Sequence, residues 1–260
     1  MPAAAPSSVA SSVTSPAKLA LPALAPETGR VFAIVFAIAL ALALIPAFFP
    51  VVDLAVSLYF LQADPPVRTA KWWWVDWINE YIPTLFRTWA VLCLPAWLWA
   101  RKSARYRRWA FPIAFTGLAL LLGPGLAVSG IKDLTQRARP FHVVGLGGDK
   151  AFTPALQLAQ QCDDNCAFVS GHTADGFFLI SLMLLSRRRA WWVAFGVLAG
   201  FAIGFARVSV GAHWLSDALW AWPITMAASW LVWIAMGRWY PPMSPSGDAI
   251  ASPDAACKSH

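Results

Sequence analysis

Long uncharged apolar runs alternate with short basic or mixed polar stretches along this chain. Residues 31–49 form the first run, carry no charge and are long enough to cross a bilayer as a helix. Pro46 and Pro50 mark its end. A partly amphipathic segment follows at 53–62, then a polar turn with Asp64, Pro65 and Pro66. Residues 81–100 make a second run, interrupted by Arg87, and 109–129 a third. The run at 173–186 is short unless its helix begins near Ser170, and 191–206 and 214–236 complete the series. No internal repeat and no strand alternation competes with this pattern, so the expectation is an all-α integral membrane protein with a six-transmembrane-helix bundle. Its membrane domain covers 30–239, with disordered cytoplasmic tails at 1–29 and 240–260.

Charge then orients the bundle. Arg101, Lys102, Arg105, Arg107 and Arg108 form one compact basic loop, and Arg187, Arg188 and Arg189 another. Cytoplasmic loops collect Lys and Arg, so both loops and both termini are expected inside. The long polar loop 130–172 is then outside, and a Cys162–Cys166 disulfide fits that compartment, although the sequence leaves two free thiols open. Only 13% of the residues are charged and 58% are hydrophobic, which argues against a soluble domain. The net charge of +7 sits between apolar runs rather than on one polar face, so nucleic acid is not the expected partner. Trp72, Trp73, Trp74 and Trp77 read as an interfacial belt. The N-terminal tail makes a poor secretory signal, because its apolar run starts late and is too long; an organelle transit peptide is a weaker alternative.

Three polar clusters fall at the outer mouth of this layout. In the first, Lys132 and Arg139 are seven residues apart, two turns of a helix, with Arg137 pointing elsewhere and Pro140 opposing continuation. The second is Ser170-Gly171-His172, where a helix start would offer free N–H groups to an anion. Asp175, one turn on, is assigned no chemistry. The third holds Arg207, His213 and Asp217; on one helix the last two would share a face. A carboxylate accepting from one imidazole nitrogen leaves the other basic.

Together these residues supply what phosphoryl transfer needs. Lys132, Arg139 and Arg207 clamp the anion, while Ser170 and Gly171 donate hydrogen bonds to it. His213 attacks phosphorus, Asp217 orients it, and His172 protonates the leaving oxygen and then activates water. Three cations do the neutralising, so no cofactor and no metal is expected; a metal bound by His and Asp is the less favoured reading. Arg87 is read two ways, as a snorkelling arginine or as a headgroup contact. His142 is the rival histidine, whose loss is expected to matter little.

At these positions the sequence resembles the type 2 phosphatidic acid phosphatase superfamily, the lipid phosphate phosphatases. Its first motif, Lys-x6-Arg-Pro, is met in full by Lys132 through Pro140. The second, Pro-Ser-Gly-His, appears as Val169-Ser170-Gly171-His172, and the third, Ser-Arg-x5-His-x3-Asp, as Ala206-Arg207 through His213 to Asp217. The two departures, Val169 and Ala206, remove no atom the chemistry uses. The resemblance implies a six-helix core, also found in vanadium haloperoxidases, a phosphohistidine at His213, an acid/base role for His172 and metal-independent hydrolysis of a lipid phosphomonoester or pyrophosphate. The run from Asn165 to His172 is similar to bacterial members acting on lipid A, which implies an inner-membrane protein with a periplasmic site. Undecaprenyl pyrophosphate, phosphatidylglycerophosphate and phosphatidate are the other substrates considered. A phosphotransferase with an alcohol acceptor and a non-enzymatic transporter are the alternative functions; gathering of charge at one face favours catalysis over a transport path.

Overall fold

In the computed structural model the residues described are 26–62 and 69–239. The expected tails lie outside them, except that Pro26 already opens the first helix. The described chain is helical: α1 Pro26–Phe48, α2 Val51–Gln62, α3 Trp73–Lys102, α4 Ala110–Leu120, α5 Val128–Thr135, α6 Gly171–Ser181, α7 Arg189–Ser209 and α8 Leu215–Trp239. A π-helical segment, Leu121–Ala127, joins α4 to α5, and a 3-10 turn, Leu182–Leu185, extends α6. Among the described residues four stretches are long and apolar enough to cross a membrane: Pro26–Phe48, Arg107–His142, Arg189–Ser209 and Leu215–Arg238. The expected second span falls in α3, which also carries Asp76, Glu80 and Arg87. The expected fourth is α6 with its extension, a shorter apolar helix.

α6 is the central helix and meets little lipid. Every residue from Thr173 to Ser181 is buried. α7 lies against it through Gly196 and Gly200, where an added Cβ would come within 2.5 Å of the Ile180 backbone nitrogen and 2.2 Å of the Phe177 ring. Small residues spaced four apart on one helix allow this approach where apolar burial gives helices in lipid no preference for each other. On the other side α8 stacks Trp222 on Phe177 at 4.9 Å, and Ser181 donates a hydrogen bond to Ser229 at 2.8 Å. α1 and α8 close one flank and α3 with α4 the other. Outward side chains such as Ile34, Val91, Leu94, Leu198 and Leu231 are exposed and apolar, as lipid contact requires.

Connectivity puts the starts of α3, α6 and α8 at the same end of the bundle as the ends of α5 and α7. The two basic loops lie at the opposite end, between α3 and α4 and between α6 and α7. The π-helical segment contains Gly123, Pro124 and Gly125. Proline lacks the N–H that an α-helix would use there, and the wider turn accommodates the loss.

Candidate active site

A cleft of about 680 Å³ opens at the end of the bundle remote from the basic loops. Lys132, Arg139, Gly171, His172, Arg207 and His213 all line it. The three sequence clusters therefore converge on one space, with both histidines facing it. Ser170 and Asp217 do not line it; both are fully buried behind it.

Two helical readings need correction. Lys132 lies on α5, but the helix stops at Gln136, whose backbone is left-handed at φ 47°. Arg139 is consequently extended, not two turns along the same helix. The loop bearing the disulfide draws the two together. Asn165, next to the joined Cys162 and Cys166, accepts from Lys132 Nζ through its side-chain oxygen at 3.0 Å and from Arg139 through its backbone oxygen at 2.7 Å. Likewise His213 and Asp217 do not share a helix. α7 ends at Ser209, Gly211 turns the chain at φ 71°, and α8 starts only at Leu215. A side chain at Gly211 would also meet Leu61 of α2 at 2.9 Å.

That turn sets the histidine. His213 Nδ1 donates to the backbone oxygen of Ala167 at 2.8 Å, while Asp217 Oδ2 is 3.5 Å away. A carbonyl can only accept, so Nδ1 carries the proton and Nε2 keeps its lone pair. The expected carboxylate acceptor is thus replaced by a peptide carbonyl, with the carboxylate beside it. Burial, then the charges of Lys132, Arg207 and Arg139, hold His213 well below the ordinary imidazole range, so its neutral form prevails.

Asp217 is itself fixed from behind, by residues the sequence did not single out. Its Oδ2 accepts from the Trp214 backbone N–H at 2.8 Å and its Oδ1 from Arg137 at 2.6 Å. Arg137, 1% exposed, also donates to Ser216 at 2.7 Å, to the Thr153 carbonyl at 2.7 Å and to Asp53 of α2 at 2.8 Å. Asp53 in turn accepts from the backbone and hydroxyl of Ser216. Trp214 stands 5.2 Å under the Arg137 guanidinium. One signal was available: an aspartate inside an apolar segment demands a partner. Nothing local announced which one.

On the cleft side, His172 Nε2 faces the backbone oxygen of Asn79 at 3.2 Å, and the side chain of Asn79 accepts from Arg207 at 2.7 Å. Asn79, on α3, was also missed. The buried Nε of Arg207 has no hydrogen-bond partner among the described residues. Ser170 caps α6 by accepting from the Thr173 N–H at 3.4 Å and sharing a 2.8 Å contact with the Thr173 hydroxyl. Its hydroxyl therefore serves the helix, not the cleft, which leaves the unpaired N–H groups at the α6 start as the donors there. His142 is exposed and outside the cleft. Among the described residues no group of three or more His, Cys, Asp or Glu side chains gathers as a metal site would need.

Residues 109–241 match the sequence model of the PAP2 superfamily. A lipid A 4'-phosphatase of Francisella tularensis subsp. novicida is 36% identical over 169 residues, 63% of this chain and 75% of that protein. One from Rhizobium leguminosarum is 37% identical over 106 residues, 40% of this chain and 46% of its own length. A solved structure, the transmembrane PAP2-type phosphatidylglycerolphosphate phosphatase of Bacillus subtilis, is 16% identical with a TM-score of 0.44, covering 82% of this chain and 95% of that one.

Proposed function

The chain belongs to the PAP2 superfamily and is a multi-pass membrane lipid phosphatase; from that premise we propose that it hydrolyses a phosphate monoester of lipid A or a closely related acylated amino-sugar lipid, releasing inorganic phosphate. The observation that carries the proposal is the unprotonated Nε2 of His213 in a cleft lined by Lys132, Arg139 and Arg207.

In the proposed reaction the three cations and the α6 N–H groups hold the phosphate oxygens and neutralise their charge. His213 Nε2 attacks phosphorus, the bond from phosphorus to the sugar oxygen breaks, and its electron pair leaves with that oxygen. His172, which takes up a proton beside the bound phosphate anion, gives that proton to the departing alkoxide. Water then loses a proton to His172 and attacks phosphorus, the N–P bond breaks, and inorganic phosphate leaves with His213 restored. Asp217, 3.5 Å from Nδ1, offsets the positive charge the ring acquires in the phosphohistidine. This makes Lys132, Arg139 and Arg207 binding groups, His213 the nucleophile and His172 the acid/base, with no metal step.

Two further parts of the reading rest on the same layout. The cleft lies away from the basic loops and beside a disulfide, which supports an inner-membrane protein with its site on the periplasmic side and its termini inside. Sequence likeness to the lipid A 4'-phosphatases supports the substrate. The test is phosphate release from purified protein and its His213→Ala variant. The panel is lipid A, undecaprenyl pyrophosphate, phosphatidylglycerophosphate and phosphatidate, each with and without chelator. Lipid A should be the best substrate, chelator should not matter, and the variant should be inactive. A glycerophospholipid turned over faster than lipid A would overturn the substrate assignment.

A further inference from the structure

His172 of α6 and Arg207 of α7 both line the cleft, and a single residue of α3 holds the two of them. The side-chain oxygen of Asn79 accepts from Arg207 at 2.7 Å, and its backbone oxygen lies 3.2 Å from Nε2 of His172. Asn79 itself does not line the cleft, so it acts on the site through these two neighbours. A carbonyl inside an α-helix ordinarily accepts from the N–H four residues on and has little to offer another helix. Here that N–H does not exist. The fourth residue after Asn79 is Pro83, inside α3. Proline has no backbone N–H, and its ring crowds the carbonyl of the fourth residue before it. Pro83 therefore leaves the Asn79 carbonyl without its helical donor, and His172 supplies the replacement. Pro95, the other proline of α3, does not line the cleft.

This contact decides which nitrogen of His172 is available. A carbonyl only accepts, so Nε2 carries a hydrogen and Nδ1 is left for chemistry. Nδ1 has no hydrogen-bond partner among the described residues. His213 is the reverse, since its Nδ1 carries the hydrogen and donates to Ala167. The two rings thus hold opposite tautomers at one cleft, and each is fixed by a peptide carbonyl.

We infer that Asn79 is a positioning residue for the proposed reaction and that Pro83 equips it for that role: the carbonyl freed by Pro83 fixes the His172 ring with Nδ1 toward the cleft, while the Asn79 side chain aims the Arg207 guanidinium. This inference rests on the phosphoryl-transfer reading above. With Nε2–H held throughout, one atom carries both proton transfers. Nδ1 takes up a proton beside the bound phosphate, passes it to the departing sugar oxygen, and then takes one from the attacking water. The bond from Nε2–H to the carbonyl strengthens whenever the ring is charged, which stabilises that charge away from bulk water.

Two substitutions separate the carbonyl from the side chain. Pro83→Ala returns an N–H to the helix and reclaims the Asn79 carbonyl, whereas Asn79→Ala keeps the carbonyl and removes the side chain. The tautomer is read first, without substrate, from two-bond nitrogen–proton correlations of protein carrying isotopically labelled histidine. Detergent samples at about pH 8 lie above the ordinary imidazole range, and His172→Gln identifies the signal. Wild type and Asn79→Ala should show His172 protonated at Nε2, and Pro83→Ala should show its two nitrogens averaged. Turnover of lipid A is measured next. Pro83→Ala should lower kcat by about 10- to 100-fold, part of what a positioned acid/base supplies, with KM within about twofold of wild type. Asn79→Ala should raise KM by about 3- to 10-fold, as for one hydrogen bond to a charged group, with kcat within about twofold. Pro95→Ala, the same change farther along α3, should alter neither and controls for a straightened helix. His172 protonated at Nδ1 in wild type would overturn the inference. So would Pro83→Ala with tautomer and kcat unchanged, or with a loss that Pro95→Ala shares. An unchanged KM in Asn79→Ala would overturn the part assigned to the side chain. A wild type that releases no phosphate from lipid A would instead overturn the substrate reading, and the tautomer would still decide this inference.

Discussion

The two sides of His213 are built on opposite principles. Behind it, Arg137, Asp53, Ser216 and Asp217 are sealed from solvent, and each polar group meets several partners. In front, Lys132, Arg139 and Arg207 face a cleft and are only partly occupied, by the oxygens of Asn165 and Asn79. Buried charges that satisfy one another fix geometry and have nothing left to offer a ligand. Charges that remain short of acceptors are poised for an anion. The histidine stands between them, its Nδ1 held by the rear and its Nε2 offered to the front.

Substitutions can separate the two sides. Replacing the group between them has the largest effect: His213→Ala should lower kcat by about 10⁴-fold or more, because other residues of the set do not replace a nucleophile. Breaking the rear comes next. Asp53→Ala leaves Arg137 short of a buried partner, and loss of one member of such a pair costs about 3–5 kcal/mol, read as a large fall in thermal midpoint. Breaking the front should leave stability alone. Arg139→Ala and Arg207→Ala should each reduce kcat/KM by about 10- to 100-fold, as expected for a lost charge-assisted hydrogen bond, with thermal midpoints near wild type. If Asp53→Ala instead kept its midpoint and Arg139→Ala lost it, the division would be wrong.

The smallest effect is one of pH. His213 is held neutral when folded, with its pKa below the ordinary value of about 6.5 that it regains on unfolding. The unfolded chain then binds the extra proton first. Stability should be level above that pH and decline as pH falls below it, by at most about 1.4 kcal/mol per unit. His213→Gln should lose that part of the decline, and an identical pH slope in wild type and variant would refute it.

How much of this was legible in the sequence follows the same division. The front was legible, because a membrane chain has few reasons to place Lys132, Arg139, His172 and Arg207 at one boundary. Their side of the bundle followed from the basic loops. The rear was not legible. Arg137 looked idle beside Arg139, since its direction depends on the left-handed residue at Gln136. Its partner Asp53 is 84 residues away, and no periodicity links the two. Spacing also misled at His213 and Asp217. Four residues apart reads as one helix face, but the turn at Gly211 keeps His213 outside α8 and gives its Nδ1 to a peptide carbonyl. Local pattern finds what a ligand must see, while groups that hold one another are found only once the chain is folded.

The central claim is that His213 Nε2 forms a bond to phosphorus. The direct test is rapid acid-free denaturation of wild type during turnover of lipid A carrying labelled phosphate, followed by peptide mapping of the retained label. Acid-labile, base-stable phosphate is expected on His213, absent from His213→Ala and accumulating when His172 is replaced by glutamine, which slows the attack of water. Label on any other residue, or full turnover in His213→Ala, would contradict it.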